Sequence, residues 1–177
     1  MVDITPATLG PVTKAHFEAI GRVANAWSRL ELFAQTLIAG LAELPQDTAL
    51  IVTNSGTVRS WMETIRRLVS LRCPPDLCDE CKKLTKEIEE KLYADRNKVI
   101  HGIWGTSWHD IFGDRFQPPD GLAARVKTLK KFGKEMLAET DLTASEVHAI
   151  ADRITKALDD LQWLAVVLID ASRGTHS

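Results

Sequence analysis

Apolar residues recur at steps of three and four along four stretches of this chain, and that period restricts its possible folds more than any other feature. In the first stretch Phe17, Ile20, Ala24, Trp27, Leu30, Ala34, Leu37 and Leu41 predict a long amphipathic helix from Thr13 to about Leu44, where Pro45 stops it. In the second, Val58, Trp61, Met62, Ile65, Leu68 and Val69 form one face, with Asn54-Ser55-Gly56-Thr57 as the turn and cap before it and Pro74-Pro75 ending it. Asp47 is placed to cap a short helix through Ile51 and Val52, and Asp76 to cap the next long one. That third long helix is predicted from about Asp76 to His101, with Leu77, Cys81, Leu84, Ile88, Leu92 and Val99 on one face, Asp95 interrupting the stripe and Gly102 as a left-handed stop. The last begins at a capping box, Thr143-Ala144-Ser145-Glu146, and carries Val147, Ile150, Ile154, Leu158, Leu161, Ala165 and Leu168 to about Ala171.

Between the third and fourth stretches the period weakens. Ile103 to Trp108 has strand-like composition, and Gly113-Asp114 and Pro118-Pro119-Asp120-Gly121 signal turns, so a hairpin or irregular loop is expected up to Gly121. Leu122, Val126, Leu129, Phe132 and Met136 then step by three and four, which favours a short helix despite Gly133. Pro6, Gly10 and Pro11 mark residues 1 to 12 as an arm. The sum is an all-α chain: one domain over residues 13–177, a bundle of about four main helices with an insert at about 103–141.

Composition narrows function by exclusion. Of 177 residues, 45% are hydrophobic and 26% charged, ordinary for a globular domain with a real core. Lys and Arg number 22 against 24 Asp and Glu, so no global basic field draws in nucleic acid and any anion-binding surface is local. No stretch approaches the roughly 18 to 20 apolar residues of a spanning helix, and no basic-then-apolar leader opens the sequence, so a soluble, cytoplasmic protein without a membrane partner is expected. Three clustered cysteines, Cys73, Cys78 and Cys81, suit a reducing compartment.

One group of residues reads as chemistry: Arg96, Asn97 and His101, at the end of the third long helix. Asn97 and His101 are four apart and share a face. Arg96 and His101 are five apart, roughly 140° around an ideal helix, so they do not simply stack on one face. Either the last turn distorts before Gly102, or a second copy of the chain supplies the missing half; Arg96 turned aside, as half of a site, is the expectation carried forward. A histidine can act as general acid or base near neutrality, and a guanidinium can hold a phosphate and offset charge in its transition state. Attack of an RNA 2′-hydroxyl on the adjacent phosphate needs those functions and neither metal nor cofactor, and the sequence carries no two-metal carboxylate cluster, Walker loop or Gly-x-Ser-x-Gly elbow.

Arg96-Asn97, three residues and His101 resemble the motif of HEPN domains (higher eukaryotes and prokaryotes nucleotide-binding domains), an arginine, a polar residue, and a histidine four to six positions on. The resemblance implies a helical bundle that dimerises so that both motifs line a shared cleft, and a metal-independent RNA endonuclease of toxin-antitoxin, abortive-infection or CRISPR-associated defence. By position His101 becomes the acid or base, Arg96 the phosphate ligand and Asn97 an orienting group, with Tyr93, Asp95 and Glu31 as supporting candidates. A homodimer, RNA, and a protein partner or antitoxin are the implied partners. Other members of the family only bind nucleotide, RNA or a partner, which is the alternative here. A structural account also stands: Arg96 pairing with Glu31 or Asp95, Asn97 capping or bridging helices, and His101 bonding the last free carbonyls of its helix. Glu31 itself, one turn from Trp27 near the buried stripe, either snorkels or pairs with a cation.

Two further groups come from residue type alone. Cys78 and Cys81 have C-x2-C spacing, with Cys73 nearby, but no second pair completes a zinc site unless His16, His109, His148 or His176 does; buried or surface thiols are the simpler reading. Arg125, Lys127, Lys130 and Lys131, with Trp104 and Trp108 upstream, form a local basic strip that could follow an RNA backbone and stack its bases, or simply be a solvated face.

Overall fold

The computed structural model describes residues 12–105, 124–129 and 137–174. In order, these form α1 (Lys14–Ala42), α2 (Gln46–Thr53), α3 (Val58–Arg72), α4 (Pro75–Glu87), a π-helical turn (Ile88–Leu92), α5 (Tyr93–Ile100), strands β1 (Ile103–Gly105), β2 (Ala124–Leu129) and β3 (Leu137–Leu142), and α6 (Ala144–Gly174). The described residues are therefore mostly helical, as the periodicity predicts, and their strands fall in the insert or at its edge. None of the described helices is long and apolar enough to cross a membrane. The expected arm falls almost wholly on residues outside those described.

Two compact units divide the chain, residues 1–24 with 96–151 and residues 25–95 with 152–177. In the second unit the core is built from Trp27, Leu30, Ala34, Leu37 and Leu41 of α1, Met62, Ile65 and Val69 of α3, Cys81, Ile88 and Leu92, and Ile154, Leu158, Leu161 and Leu168 of α6, all nearly or fully buried. At about 1.5–3 kcal/mol for each large side chain removed from water, this burial is the main favourable term holding the helices together. α1 ends at Ala42, two residues short of the expected Leu44, because Glu43 takes a left-handed φ of 56° and Leu44 N–H bonds back to Ala39 O at 3.0 Å. This closes the helix as a Schellman turn before Pro45 is reached. α3 starts as expected: Thr57 Oγ1 accepts from Ser60 N–H and Ser60 Oγ from Thr57 N–H. Gly56 is required there by space, since a Cβ would lie 2.2 Å from Trp61 Nε1, which donates to Thr53 O at 3.1 Å.

Neither aspartate caps as predicted. α2 begins at Gln46 after Pro45 and α4 begins at Pro75 after Pro74, with Asp47 and Asp76 inside the first turns. A proline at the first helical position loses no hydrogen bond and has the right φ, so Pro75 starts a helix where it was expected to end one.

In the first unit, the opening turns of α1 bury His16, Ala19 and Val23. This corrects the stripe expected from Phe17, Ile20 and Ala24; Phe17 is 64% exposed. β1, β2 and β3 form an antiparallel sheet in that order. β2 overturns the short helix expected from Leu122 to Met136 over the part of it that is described, Ala124–Leu129. Ala124, Val126 and Thr128 alternate with Arg125 and Lys127, the two-residue period of a strand, and this local pattern prevails over the looser three-and-four spacing. α6 opens on the predicted capping box, Thr143 N–H bonding Glu146 Oε2 at 2.7 Å and Glu146 N–H bonding Thr143 Oγ1 at 3.2 Å.

Candidate functional site

The segment leading to Arg96 is not one regular helix. Thr85, fully buried, turns its hydroxyl back to Cys81 O at 2.6 Å, and Ile88 N–H is shared between Leu84 O and Thr85 O. The hydrogen-bond ladder then lengthens through Ile88–Leu92 until Tyr93 N–H bonds Ile88 O, five residues back. Such insertions of a residue into an α-helix cluster at functional sites. Here the insertion is immediately before the helix that carries the motif.

Within the first unit, Arg96, Asn97 and His101 come together in a single chain. Arg96 Nη1 donates to Asn97 Oδ1 at 3.0 Å and lies 2.8 Å from His101 Nε2. A guanidinium nitrogen only donates, so Nε2 accepts and the ring proton of the neutral imidazole is on Nδ1. This corrects the expectation that Arg96 is turned aside as half of a site. The 140° separation holds for a continuing α-helix, but α5 stops at Ile100 and His101 occupies a bend, still tied by its N–H to Asn97 O at 3.0 Å. The distortion of the last turn, one of the two routes open from spacing, is present within the single chain. His101 is exposed, and Arg96 and Asn97 are half-buried. A cation, an amide and an imidazole thus meet at the end of α5, where the imidazole is exposed.

Trp104 supports this turn from β1. Its Nε1 donates to Val99 O at 2.9 Å, and its ring lies 6.0 Å from that of His16. His16 is 2% exposed and structural: Nδ1 accepts from Thr13 N–H at 3.2 Å, so Nε2 carries the proton and faces Leu142 O at 3.3 Å. Half-buried and bonded through its indole, Trp104 braces the turn. Of the other residues in the proposed basic strip, Arg125 and Lys127 lie on β2, in register with Asp141 and Glu139 of β3. Trp108, Lys130 and Lys131 lie outside the described residues.

The three supporting candidates belong to the second unit. Trp27 Nε1 donates to Glu31 Oε1 at 2.8 Å, so Glu31 is neither a snorkelling carboxylate nor a cation's partner but the acceptor for a buried indole. Tyr93 packs 6.0 Å from the Trp27 ring, with the Arg59 guanidinium 4.9 Å over its face. Asp95 pairs with Arg153 of α6 at 2.6 Å. All three make contacts within the second unit, Glu31 inside α1 and Tyr93 and Asp95 from the start of α5 to α1, α3 and α6.

Among the described residues, no group of three His, Cys, Asp or Glu is arranged to hold a metal. Cys81 is buried, and desolvation pushes its thiol up to about 11 against a smaller opposing effect of Arg66. Cys73 is raised too, by burial and then by Cys78, with Arg72 opposing; its Sγ points to Leu168 O at 3.5 Å. These thiols behave as packing groups and weak donors.

One pairing has no signal in the sequence. Arg22 Nη1 lies 3.0 Å from His148 Nδ1, joining α1 to α6 within the first unit across 126 residues. Comparison with protein-family models, with curated proteins and with solved structures gives no match.

Proposed function

We propose that Arg96, Asn97 and His101 form the phosphate-binding and proton-transfer centre of a metal-independent RNA endonuclease of HEPN type, acting as a toxin or in phage defence. The observation that carries this reading is the 2.8 Å contact between Arg96 Nη1 and His101 Nε2 at a solvent-open helix end. In the absence of substrate the guanidinium occupies the imidazole's lone pair. A phosphodiester is a stronger, charge-assisted acceptor, so Arg96 turns its donors to the phosphate and Nε2 is released as a base. His101 Nε2 then takes the proton of the 2′-hydroxyl, O2′ attacks phosphorus, and the bond to the 5′ oxygen breaks. The 5′ oxygen leaves with a proton from water. The products are a 2′,3′-cyclic phosphate and a 5′-hydroxyl, and Arg96 offsets the charge that builds on the phosphate oxygens. Asn97 Oδ1 keeps the guanidinium aligned throughout.

This reading treats each chain as holding its own triad. A homodimer would bring two such triads to one cleft, and a protein partner or antitoxin would act by covering it. The test is cleavage of unstructured RNA in EDTA by the purified protein, with the product ends identified. Loss of cutting on His101→Ala and on Arg96→Ala, with the fold intact, is the expected result. Cleavage by His101→Ala at the unaltered rate would overturn it, and RNA bound but never cut by the natural chain would leave a non-catalytic HEPN-like module.

A further inference from the structure

A groove in the second unit lies between α4 and α6 and belongs to none of the sites above. Its cavity is about 450 Å³, lined from α4 by Glu80, Lys83, Leu84 and Glu87 and from α6 by Asp160, Trp163 and Leu164. Those positions recur at three- and four-residue spacing, so each helix turns a single stripe toward the groove. The floor is apolar: Leu164 is 4% exposed and Leu84 is half-buried. Trp163 departs from the burial of the other apolar residues around it, at 69% exposed, and Val166, one turn on, is 63% exposed. A large aromatic left in water beside a concave surface is the pattern of a contact point for another molecule.

The charges around the groove say what that molecule carries. Neither Glu80 nor Glu87 has an ion pair among the described residues. Asp160 is taken by Lys156 at 2.6 Å, and Lys156 also lies in the field of Glu87 and Asp159. Four carboxylates therefore stand against two ammonium groups, Lys83 and Lys156. An acidic rim over an apolar floor is complementary to a segment that is apolar on one face and basic at its edges. Glu80 and Glu87 are seven apart, two helical turns, which sets them about 10 Å apart along one side of α4. A helix lying in the groove meets them with Lys or Arg at positions seven apart, and covers Leu84 and Trp163 with apolar residues three and four on from the first. We infer that this groove seats a basic amphipathic helix of another protein. A second copy of the chain does not suit it, because a two-fold contact through this face brings acidic rim against acidic rim. The groove belongs to the second unit and the cleavage centre to the first, so either reading can fail without the other.

The probe is a fluorescein-labelled synthetic peptide of about four helical turns, closed by a side-chain staple so that it is helical before it binds. It carries lysines seven positions apart and leucines three and four positions after the first lysine; a control peptide has glutamates in place of the lysines. Anisotropy titrations of the full chain should show saturable binding of the lysine peptide that weakens as salt rises, with the glutamate peptide about tenfold weaker or more at low salt. Trp163→Ser should weaken the lysine peptide about tenfold or more, the usual effect of losing a central aromatic anchor. Glu80→Lys combined with Glu87→Lys should reverse the preference, so that the glutamate peptide binds better than the lysine one. Both glutamates are exposed, so this double variant keeps the fold, which circular dichroism verifies, and it carries the test alone if Trp163→Ser lowers stability. Absence of saturable binding by the lysine peptide, equal binding of the two peptides, or an unreversed preference in the double variant would overturn the proposal. So would sedimentation showing that the chain self-associates and that Trp163→Ser abolishes the association, since a second copy would then cover the groove.

Discussion

His16 and His101 lie in the same compact unit and are joined through one tryptophan, yet their surroundings are opposite. Trp104 packs its ring 6.0 Å from His16 and bonds Val99 O, two residues before His101. His16 is 2% exposed, with the Thr13 backbone N–H and hydroxyl on one ring nitrogen and a backbone carbonyl facing the other. His101 is exposed, and its described side-chain contact is the Arg96 guanidinium, which the proposed reading has a phosphate draw away. The difference teaches what makes a histidine structural. Main-chain partners cannot leave without unfolding a helix end or a strand, so the ring they hold is committed to the fold. A side-chain cation can exchange partners without unfolding the chain, and on the proposed reading that leaves the His101 ring for chemistry.

The sharpest way to break this contrast is to delete each ring in turn. His101→Ala is expected to lower RNA cleavage by about 10²- to 10⁴-fold, the usual worth of general acid–base catalysis, while leaving the thermal midpoint near its natural value. Arg96→Ala should do the same, and Arg96→Lys should restore little, because a point charge does not reproduce the fork. Rates and calorimetry on one preparation test both halves. A fall in stability as large as the fall in rate would put His101 in the same class as His16.

The second expectation is the mirror image. His16→Ala strips the partners from Thr13 N–H and Leu142 O and leaves a gap beside Trp104, costing about 1–3 kcal/mol by the usual range for buried groups left unpaired. Urea denaturation reads it, with activity per folded molecule retained. His16→Asn, whose Oδ1 can accept from Thr13 N–H, should recover part of the loss. Trp104 sits between the two outcomes: Trp104→Phe keeps the ring against His16 but removes the bond to Val99 O. About 0.5–1.5 kcal/mol of stability should go, with a smaller drop in cleavage rate as the turn before His101 loosens.

The residues also explain how far sequence reasoning could reach. Helices with strong periodicity were legible because burial dictates their spacing: the stripes from Trp27 to Leu41, from Val58 to Val69 and from Val147 to Leu168 all face the interior. Misreadings came where two periods coexist, as in Ala124–Leu129, or where a polar residue wins a buried place through hydrogen bonds, as His16 does over Phe17 and Thr85 over Leu84. Arg96, Asn97 and His101 were legible as a group from residue type and spacing. Their mutual geometry was not, because it depends on the helix stopping at Ile100, one residue before the position that ideal helical rotation assumes. The Arg22–His148 pair could not be found in one dimension at all, since only packing of α6 beside α1 in the first unit brings those positions together.

The smallest expected effect concerns the carbonyl that holds His16. Leu142 O is followed at once by Thr143 and its capping box with Glu146. Hydrogen bonds from the Thr143 backbone and side chain keep the Glu146 carboxyl below its ordinary value of 4.5, against a weaker opposing effect of burial. A carboxyl lowered in the folded state binds fewer protons there than in the unfolded chain, so it contributes stability above the unfolded value and loses it as pH falls through the folded one. Glu146→Gln should therefore be less stable than the natural protein at neutral pH, and the gap should narrow as pH drops below about 4.5. Equilibrium unfolding of both proteins from neutral pH into acid measures this. If the gap instead stays constant with pH, Glu146 acts only through its shape in the cap. If hydrogen exchange at Leu142 and Thr13 rises together in the variant, the cap of α6 also helps to hold His16 in its structural state, and the division between the two histidines extends to the helix that supports one of them.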